Sequence, residues 1–192
     1  MSELPLIAVT DSASCPRPLA EQIERLTKLT ELRPQAVILR AKSLDKAAYR
    51  TLALHAQQSC EAAGIALILH SDWQLAHELG ISKLHLPLAL LRQLPACKRT
   101  YFTRLSTPVH SVEEAIEAQA LGATVLIAGH IYTTQCKAGL APRGLGFLQA
   151  VCSAVSLPVY AIGGISFDAA QHAELQANGA RGACVMSAYM RL

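Results

Sequence analysis

Eight short apolar runs recur along this 192-residue chain, and all but the last are followed by a stretch with helical spacing. A short apolar run bounded by turn residues is what a strand buried on both faces looks like, and strands alternating with helices imply a parallel sheet. The runs cover residues 4–9, 36–39, 65–69, 83–86, 99–103, 124–128, 158–162 and 183–186, the fifth being the weakest. Helical patterns cover residues 19–29, 44–63, 73–79, 88–94, 111–121, 145–155 and 167–177. Local signals agree with these bounds. Ser43 or Asp45 can cap the second helix and Gly64 closes it, while Ser111 with Glu114 three residues later is a capping-box pattern. Only residues 188–192 follow the eighth run, too few for a full helix. Roughly 20–25 residues per strand–helix unit, eight times over, predict one domain over residues 1–192: an α/β fold, a minimal (β/α)8 TIM barrel with a truncated last helix. The rival is an open doubly wound sheet. It would need fewer strands or a glycine-rich phosphate turn after the first one, and Val9-Thr10-Asp11-Ser12 has no glycine.

Composition narrows the function. Hydrophobic residues make up 52% of the chain and charged residues 16%, enough apolar material for a large core with helices packed on it. The net charge of +3 comes without any basic run longer than a dipeptide, so the clustered basic face of a nucleic-acid binder is not expected. No stretch of about 18 uninterrupted apolar residues exists, so no membrane span is expected. The opening MSELPLIAVTDSAS has no basic region ahead of its short apolar run, unlike a signal peptide, and a cytoplasmic protein is expected. Six cysteines stand at 15, 60, 97, 136, 152 and 184 with no CxxC pair and no zinc-finger spacing, which reads as six reduced thiols. Association into a homo-oligomer stays open, because no single apolar stripe announces an interface.

In a barrel, the residues just after each strand surround one mouth, where ligands bind. In order they are Thr10 and Asp11; Arg40 and Lys42; Ser71 and Asp72; His85; Thr103; His130 with Thr134 and Lys137; Gly163 and Gly164; and Met186 with Ser187. The richest of these stretches is GHIYTTQCKAGLAPRG, residues 129–144. It carries a histidine, two threonines, a thiol, Lys137 and Arg143, with one internal glycine and a proline. His130 directly follows a strand, and histidine is the side-chain type whose reference pKa suits a proton shuttle. The ends of the seventh and eighth strands, Gly163-Gly164 and Met186-Ser187, match the usual place of a barrel phosphate site, where glycine lets the backbone approach an anion. Arg40, Lys42 and Lys137 outnumber Asp11 and Asp72, which suits a substrate with a second anionic group. Nothing resembles HxxxH and carboxylates at the mouth are few, so no metal site is expected. His70, His85 and His110 border strands or helix starts and could equally be satisfied structural histidines.

These residues resemble the thiamine phosphate synthase/TenI superfamily of small barrels. The matching stretches are Ile7 with Thr10-Asp11, Leu39-Arg40-Ala41-Lys42, Ser71-Asp72, Ser111-Val112-Glu113-Glu114-Ala115, the 129–137 segment, Ala161 to Ile165 and Val185-Met186-Ser187. They occur in family order over nearly the whole chain. The synthase branch resembles this chain less closely than the TenI branch does. It would place Gln and Glu at 38 and 41, an Asn before the aspartate at 72, a second metal-binding aspartate near 90 and a second threonine at 136; here stand Ile38, Ala41, Ser71, an acid-free 86–92 segment and Cys136. Magnesium held with phosphates normally keeps one or two carboxylates. The TenI branch, thiazole tautomerase, has a loop similar to Gly129-His130-Ile131-Tyr132-Thr133-Thr134-Gln135-Cys136-Lys137, where the synthases commonly have proline at 130.

The resemblance implies an isomerase of thiamine biosynthesis acting on a phosphorylated thiazole. It would aromatise a carboxylated dihydrothiazole with an ylidene-ethyl phosphate arm, without metal or redox cofactor. His130 would move the proton, Gly163, Gly164, Met186 and Ser187 would hold the phosphate, and Arg40, Lys42, Thr134 or Lys137 would contact the rest of the substrate. The alternatives are a magnesium-dependent thiamine phosphate synthase and a non-catalytic TenI-like regulator that binds thiazole phosphate.

Overall fold

A computed structural model describes residues 4–137 and 139–192; residues 1–3, and Ala138 within the 129–144 segment, lie outside it. The elements run β1 (Leu6–Val9), α1 (Leu19–Thr27), β2 (Ala36–Leu39), α2 (Lys46–Ala63), β3 (Ala66–His70), α3 (Trp73–Glu78), β4 (Lys83–His85) and α4 (Leu88–Gln93). They continue as α5 (Ala96–Arg99), β5 (Arg104–Val109), α6 (Val112–Ala120), β6 (Val125–Gly129), a 3₁₀ turn (Gln135–Lys137), α7 (Gly144–Ala154), β7 (Val159–Ile162), α8 (Ala169–Ala177), β8 (Gly182–Val185) and α9 (Ser187–Arg191). The strands form a closed parallel barrel in sequence order. Closure is the β1–β8 pairing, with Leu6, Ile7 and Ala8 opposite Ala183, Cys184 and Val185. The fold is thus the (β/α)8 barrel the alternation implies, and its last helix is five residues long.

Side chains alternate between two apolar layers, as the period of a strand requires. Ile7, Val9, Ala36, Ile38, Ile68, Val125, Ile127, Tyr160 and Cys184 fill the barrel interior. Their neighbours Ala8, Val37, Leu39, Leu69, Leu126, Ala161 and Val185 face outward onto the helices, where they meet Ile23, Leu26, Ala53, Ala56 and Leu148. β1, β2, β6, β7 and β8 are buried on both faces almost throughout, which is why they read as apolar runs.

The fifth strand departs from the sequence reading. Residues 99–103 do not form it; α5 ends there, and β5 is Arg104–Val109. The interior-facing residues of β5 are Arg104, Ser106 and Pro108, so its inner face shows no apolar pattern. Proline also argues against a central strand because it cannot donate to the ladder. Here the missing donor costs nothing. Ser106 O accepts from Leu86 N–H at 2.9 Å, so Pro108, two residues on, turns its nitrogen to the same side, past the end of β4. Thr103 consequently precedes β5 at the barrel face opposite the mouth, with its hydroxyl on Ser82 O at 3.2 Å. It is no mouth residue; His110 occupies the carboxyl end of β5 instead.

Helix starts are set by side-chain caps. Asp45 accepts from Ala48 N–H at 2.8 Å, Asp72 from Leu75 N–H at 2.9 Å, Ser111 from Glu114 N–H at 3.1 Å and Asp168 from Gln171 N–H at 2.8 Å. Each satisfies a backbone donor that the first helical turn leaves free.

The lower interior is closed by Tyr160. Its ring lies against Gly182, where a Cβ would come within 2.2 Å of Tyr160 Cε1 and 2.7 Å of Pro5 O. The Arg104 guanidinium stacks 4.9 Å from the ring centroid, and the hydroxyl accepts from Gln35 Nε2 at 2.8 Å. Above this layer, His85 and Ser106 form a polar sector among otherwise apolar residues. Ser106 Oγ donates to Leu84 O at 3.2 Å, so it accepts from His85 Nδ1–H at 3.0 Å and leaves His85 Nε2 as an acceptor. Burial, reinforced by His70 and the Arg104 and Arg40 charges, lowers the His85 pKa to about 3. Burial and the charges of Arg40 and Lys42 lower that of His70 to about 4.

Two expectations follow. Gly182→Ala should destabilise the fold by about 1–3 kcal/mol through overpacking, read as a lower denaturant midpoint; an unchanged midpoint would contradict the packing described. Stability should also depend on pH. The unfolded chain protonates both histidines below their ordinary 6.5 while the folded barrel resists to about 4 and about 3. Stability present at neutral pH is therefore lost as pH falls from about 6.5 toward 4. Denaturant midpoints between about pH 6.5 and 5, above the main carboxylate range, isolate the histidines, and a flat profile there would contradict their lowered pKa values.

Candidate active site

The carboxyl ends of the strands enclose a cavity of about 590 Å³. Its floor is apolar, built from Val9, Ile38, Ile127 and Ile162 on the barrel's inner face. His130, Gly163, Gly164, Met186, Ser187, Arg40, Lys42, Thr134 and Lys137 all line it. Residues separated by up to about 150 positions in sequence thus share one wall because the barrel closes.

His130 is placed by the close apposition of two strand ends. Beyond β6 the chain runs on beside β7, with Ile131 N–H donating to Ile162 O and Tyr132 N–H to Gly163 O, both at 2.9 Å. Arg143 N–H then returns to His130 O at 3.0 Å and Gly144 N–H to Ile131 O at 3.1 Å, closing the loop on itself. The contact tolerates no side chain on β7's turn. A Cβ at Gly163 would lie 2.3 Å from His130 Cβ, and one at Gly164 would lie 2.4 Å from Thr133 O. Both glycines also have positive φ, +102° and +69°. Packing therefore requires this glycine pair irrespective of any anion. His130 is only 3% exposed, and among the described residues neither ring nitrogen has a hydrogen-bond partner. Buried polar groups are normally paired, and His130 is one of the residues around the cavity.

The cationic side of the mouth is built from β2. Thr10 Oγ1 accepts from Arg40 N–H at 2.7 Å and donates to Arg40 O at 2.8 Å, pinning the strand end. The Arg40 guanidinium pairs with the Asp11 carboxylate, which also accepts from Ser14 Oγ at 2.7 Å. Burial opposes ionisation of Asp11, but the Ser14 hydroxyl and Arg40 outweigh it and hold the carboxyl below the usual range. Lys42 and Lys137 form no ion pair among the described residues. Arg40's charge is thus largely spent on Asp11, and the two lysines are the better partners for a ligand anion.

Asp72 does not join the cavity lining; its carboxylate caps α3. Among the described residues, no group of three or more His, Cys, Asp or Glu side chains converges as a metal site would. Three further histidines line the cavity: His85, which the sequence places at the mouth, and His70 and His110, which it leaves as bordering strands or helix starts. His70 and His85 face each other across adjacent strands, ring centroids 5.5 Å apart. His110 sits at the end of β5, its Nδ1 3.3 Å from Glu114 Oε2. Burial and the Lys137 charge lower the His110 pKa, with Glu114 opposing them. The alternation of inward-facing residues along β3 and β5 would have pointed at His70 and His110, had β5 been placed correctly.

Comparisons with known proteins agree with this architecture. The family model described as thiamine monophosphate synthase (TMP-TENI) matches residues 6–189. The chain is 31% identical over 160 residues to a thiamine-phosphate synthase of Lacticaseibacillus paracasei, covering 81% of this chain and 72% of the relative. It is 36% identical over 158 residues to one of Listeria welshimeri, covering 79% and 74%. In structure it is similar to a thiamine phosphate pyrophosphorylase from Pyrococcus furiosus, with a TM-score of 0.78 and 24% identity over 97% of this chain and 87% of that one. A match across almost the entire barrel, joined to relatives above 30% identity over most of its length, means that this chain belongs to the thiamine monophosphate synthase/TenI family.

Proposed function

We propose that the cavity binds a phosphorylated thiazole and that His130 transfers protons on it, as in a TenI-type thiazole tautomerase. The observation that carries this reading is His130 itself, buried in a cavity wall with both ring nitrogens unpartnered among the described residues. A tautomerisation fits such a group. A proton leaves a ring carbon of the carboxylated dihydrothiazole, its C–H electron pair enters the ring π system, and the exocyclic double bond takes up a proton on its arm carbon. The product is the aromatic carboxythiazole phosphate, with no change of oxidation state. Histidine suits both half-steps because either ring nitrogen can accept or donate near neutral pH.

The anionic groups of such a substrate find matching partners. The phosphate would lie at Gly163, Gly164, Met186 and Ser187; among the described residues, no turn or loop hydrogen bond uses the N–H of Gly164 or Met186. The carboxylate would meet Lys42 or Lys137, with Arg40 and Thr134 beside them. The apolar floor would seat the ring.

A second reading, the magnesium-dependent thiamine phosphate synthase, is favoured by the names of the curated relatives. The side chains present fit it poorly. Magnesium with a diphosphate needs one or two free carboxylates. Asp72 is engaged as a helix cap, Asp11 with Arg40 and Ser14, and residues 86–92 carry no acid.

Two measurements separate the readings. Conversion of the dihydrothiazole carboxylate phosphate to its aromatic isomer, with EDTA present, should occur in wild type and fall about 10²–10⁴-fold in His130→Ala, while thiazole phosphate binding survives. Binding without turnover in wild type would overturn the tautomerase and leave a thiazole phosphate-binding protein. Asp72→Ala should cost about 1 kcal/mol of stability through the lost cap and leave isomerisation unchanged. Magnesium-dependent joining of pyrimidine diphosphate to thiazole phosphate, lost in that variant, would establish the synthase instead.

A further inference from the structure

One cationic side chain of the cavity has no part in the assignments above. Arg191, on the last turn of α9, lines it together with Gly163, Gly164, Met186 and Ser187. We propose that Arg191 is a specificity-determining residue of the site: its guanidinium takes the phosphate of the ligand and so selects phosphorylated thiazoles over the corresponding free alcohols. This inference rests on the phosphorylated-thiazole reading and extends it to a residue that the eight strand ends do not include.

The geometry begins with the anchoring of α9. Tyr189 and Met190 are fully buried. The Tyr189 hydroxyl donates to Leu32 O at 2.7 Å, and its ring meets that of Phe167 edge-on with centroids 4.9 Å apart. These contacts fix the rotation of the helix. Ser187 and Arg191, four residues apart, share the face that borders the cavity. Helical side chains lean toward the N-terminus of their own helix, which turns Arg191 back toward Ser187 and the mouth. Its Nη2 reaches Gln135 Oε1 at 3.5 Å. Gln135 follows β6 and Arg191 follows β8, while Gly163 and Gly164 follow β7, the strand that pairs with both. The Arg191 side chain therefore bridges the segments on either side of the glycine turn.

No carboxylate holds the guanidinium there. Arg191 is exposed and forms no ion pair among the described residues. Its contact with Gln135 is at the outer limit of a hydrogen bond, and the acceptor is a neutral amide. A phosphate offers more: two parallel charge-assisted bonds, in the planar fork that a guanidinium presents and an ammonium does not. The backbone N–H groups at the ends of β7 and β8 can orient an anion but carry only partial charges. With the ligand carboxylate assigned to Lys42 or Lys137, Arg191 supplies the full positive charge that the phosphate end otherwise lacks. Binding then exchanges a weak amide contact for a strong ionic one, and a ligand without phosphate gains nothing from the exchange.

The test is calorimetric binding of hydroxyethylthiazole phosphate and of hydroxyethylthiazole, its free alcohol, to wild type and variants. Arg191→Gln should weaken binding of the phosphate about 10–100-fold, as loss of charged hydrogen bonds does, and leave that of the alcohol unchanged. Arg191→Lys should fall between the variant and wild type. In isomerisation the Arg191→Gln loss should appear in KM, with kcat within about threefold of wild type. Wild-type affinity for the phosphate in Arg191→Gln would overturn the proposal. An equal loss for phosphate and alcohol would overturn it too, since the side chain would then only shape the mouth. Gln135→Ala separates the last alternative: if it reproduces the Arg191→Gln loss, Arg191 acts by holding the segment after β6 and not by meeting the phosphate. Arg191 is exposed, so the denaturant midpoint of Arg191→Gln should match wild type; should it fall, Arg191→Lys decides. Failure of wild type to bind the phosphate at all removes the phosphorylated-thiazole reading itself, whereas tight binding that ignores residue 191 removes this proposal alone.

Discussion

Everything at this site depends on the pairing of β8 with β1. Without that ladder the sheet would have two free edges, and the strand ends carrying Arg40, His130 and Met186 would lie along a line rather than around a ring. Closure satisfies the edge backbone groups and removes the liability of an exposed strand. It also lets a chain of 192 residues enclose a cavity of about 590 Å³ with little loop structure. The economy shows in the helices. α4 and α5 are short, and α9 is just over one turn, long enough for Tyr189 and Met190 to cover the barrel beside α1.

Charge is distributed unevenly within the closed barrel. One sector of the interior, where β3, β4 and β5 meet, carries His70, His85, Ser106 and Arg104; the remaining interior cluster is aliphatic apart from Tyr160 and Cys184. Burial and neighbouring cations keep His70 and His85 uncharged at neutral pH, so they act as polar but neutral walls. Net positive charge is then concentrated at the rim, in Lys42 and Lys137, with Arg40 partly neutralised by Asp11. A ligand with an apolar ring and two anionic ends matches that separation of an aliphatic floor from a cationic rim.

The Gly163-Gly164 turn shows how one sequence feature can answer to two causes. Its position after the seventh strand suggests an anion site, and it does line the cavity. Yet the distances to His130 Cβ and Thr133 O already demand glycine at both positions. The pair is a steric prerequisite for seating His130, and a phosphate bound there would use backbone groups that this packing exposes.

The sequence by itself determined the repeating unit, because strands buried on both faces must be apolar throughout and helices must be apolar on one stripe. It also determined the wall-forming set at β2, β6, β7 and β8, since in a parallel barrel every strand's carboxyl end faces the same mouth. It failed at β5, where Arg104, Ser106 and Pro108 broke the apolar pattern for reasons visible only from the inside: a cation over Tyr160, a hydroxyl for His85, and a proline nitrogen turned past the end of β4. That misplacement put Thr103 at the mouth and hid His110. Tertiary structure alone decided which charges are free. Asp72 on the α3 backbone and Glu114 on His110 are local pairings three and four residues apart, whereas Asp11 against Arg40 joins two strand ends and no local spacing encodes it.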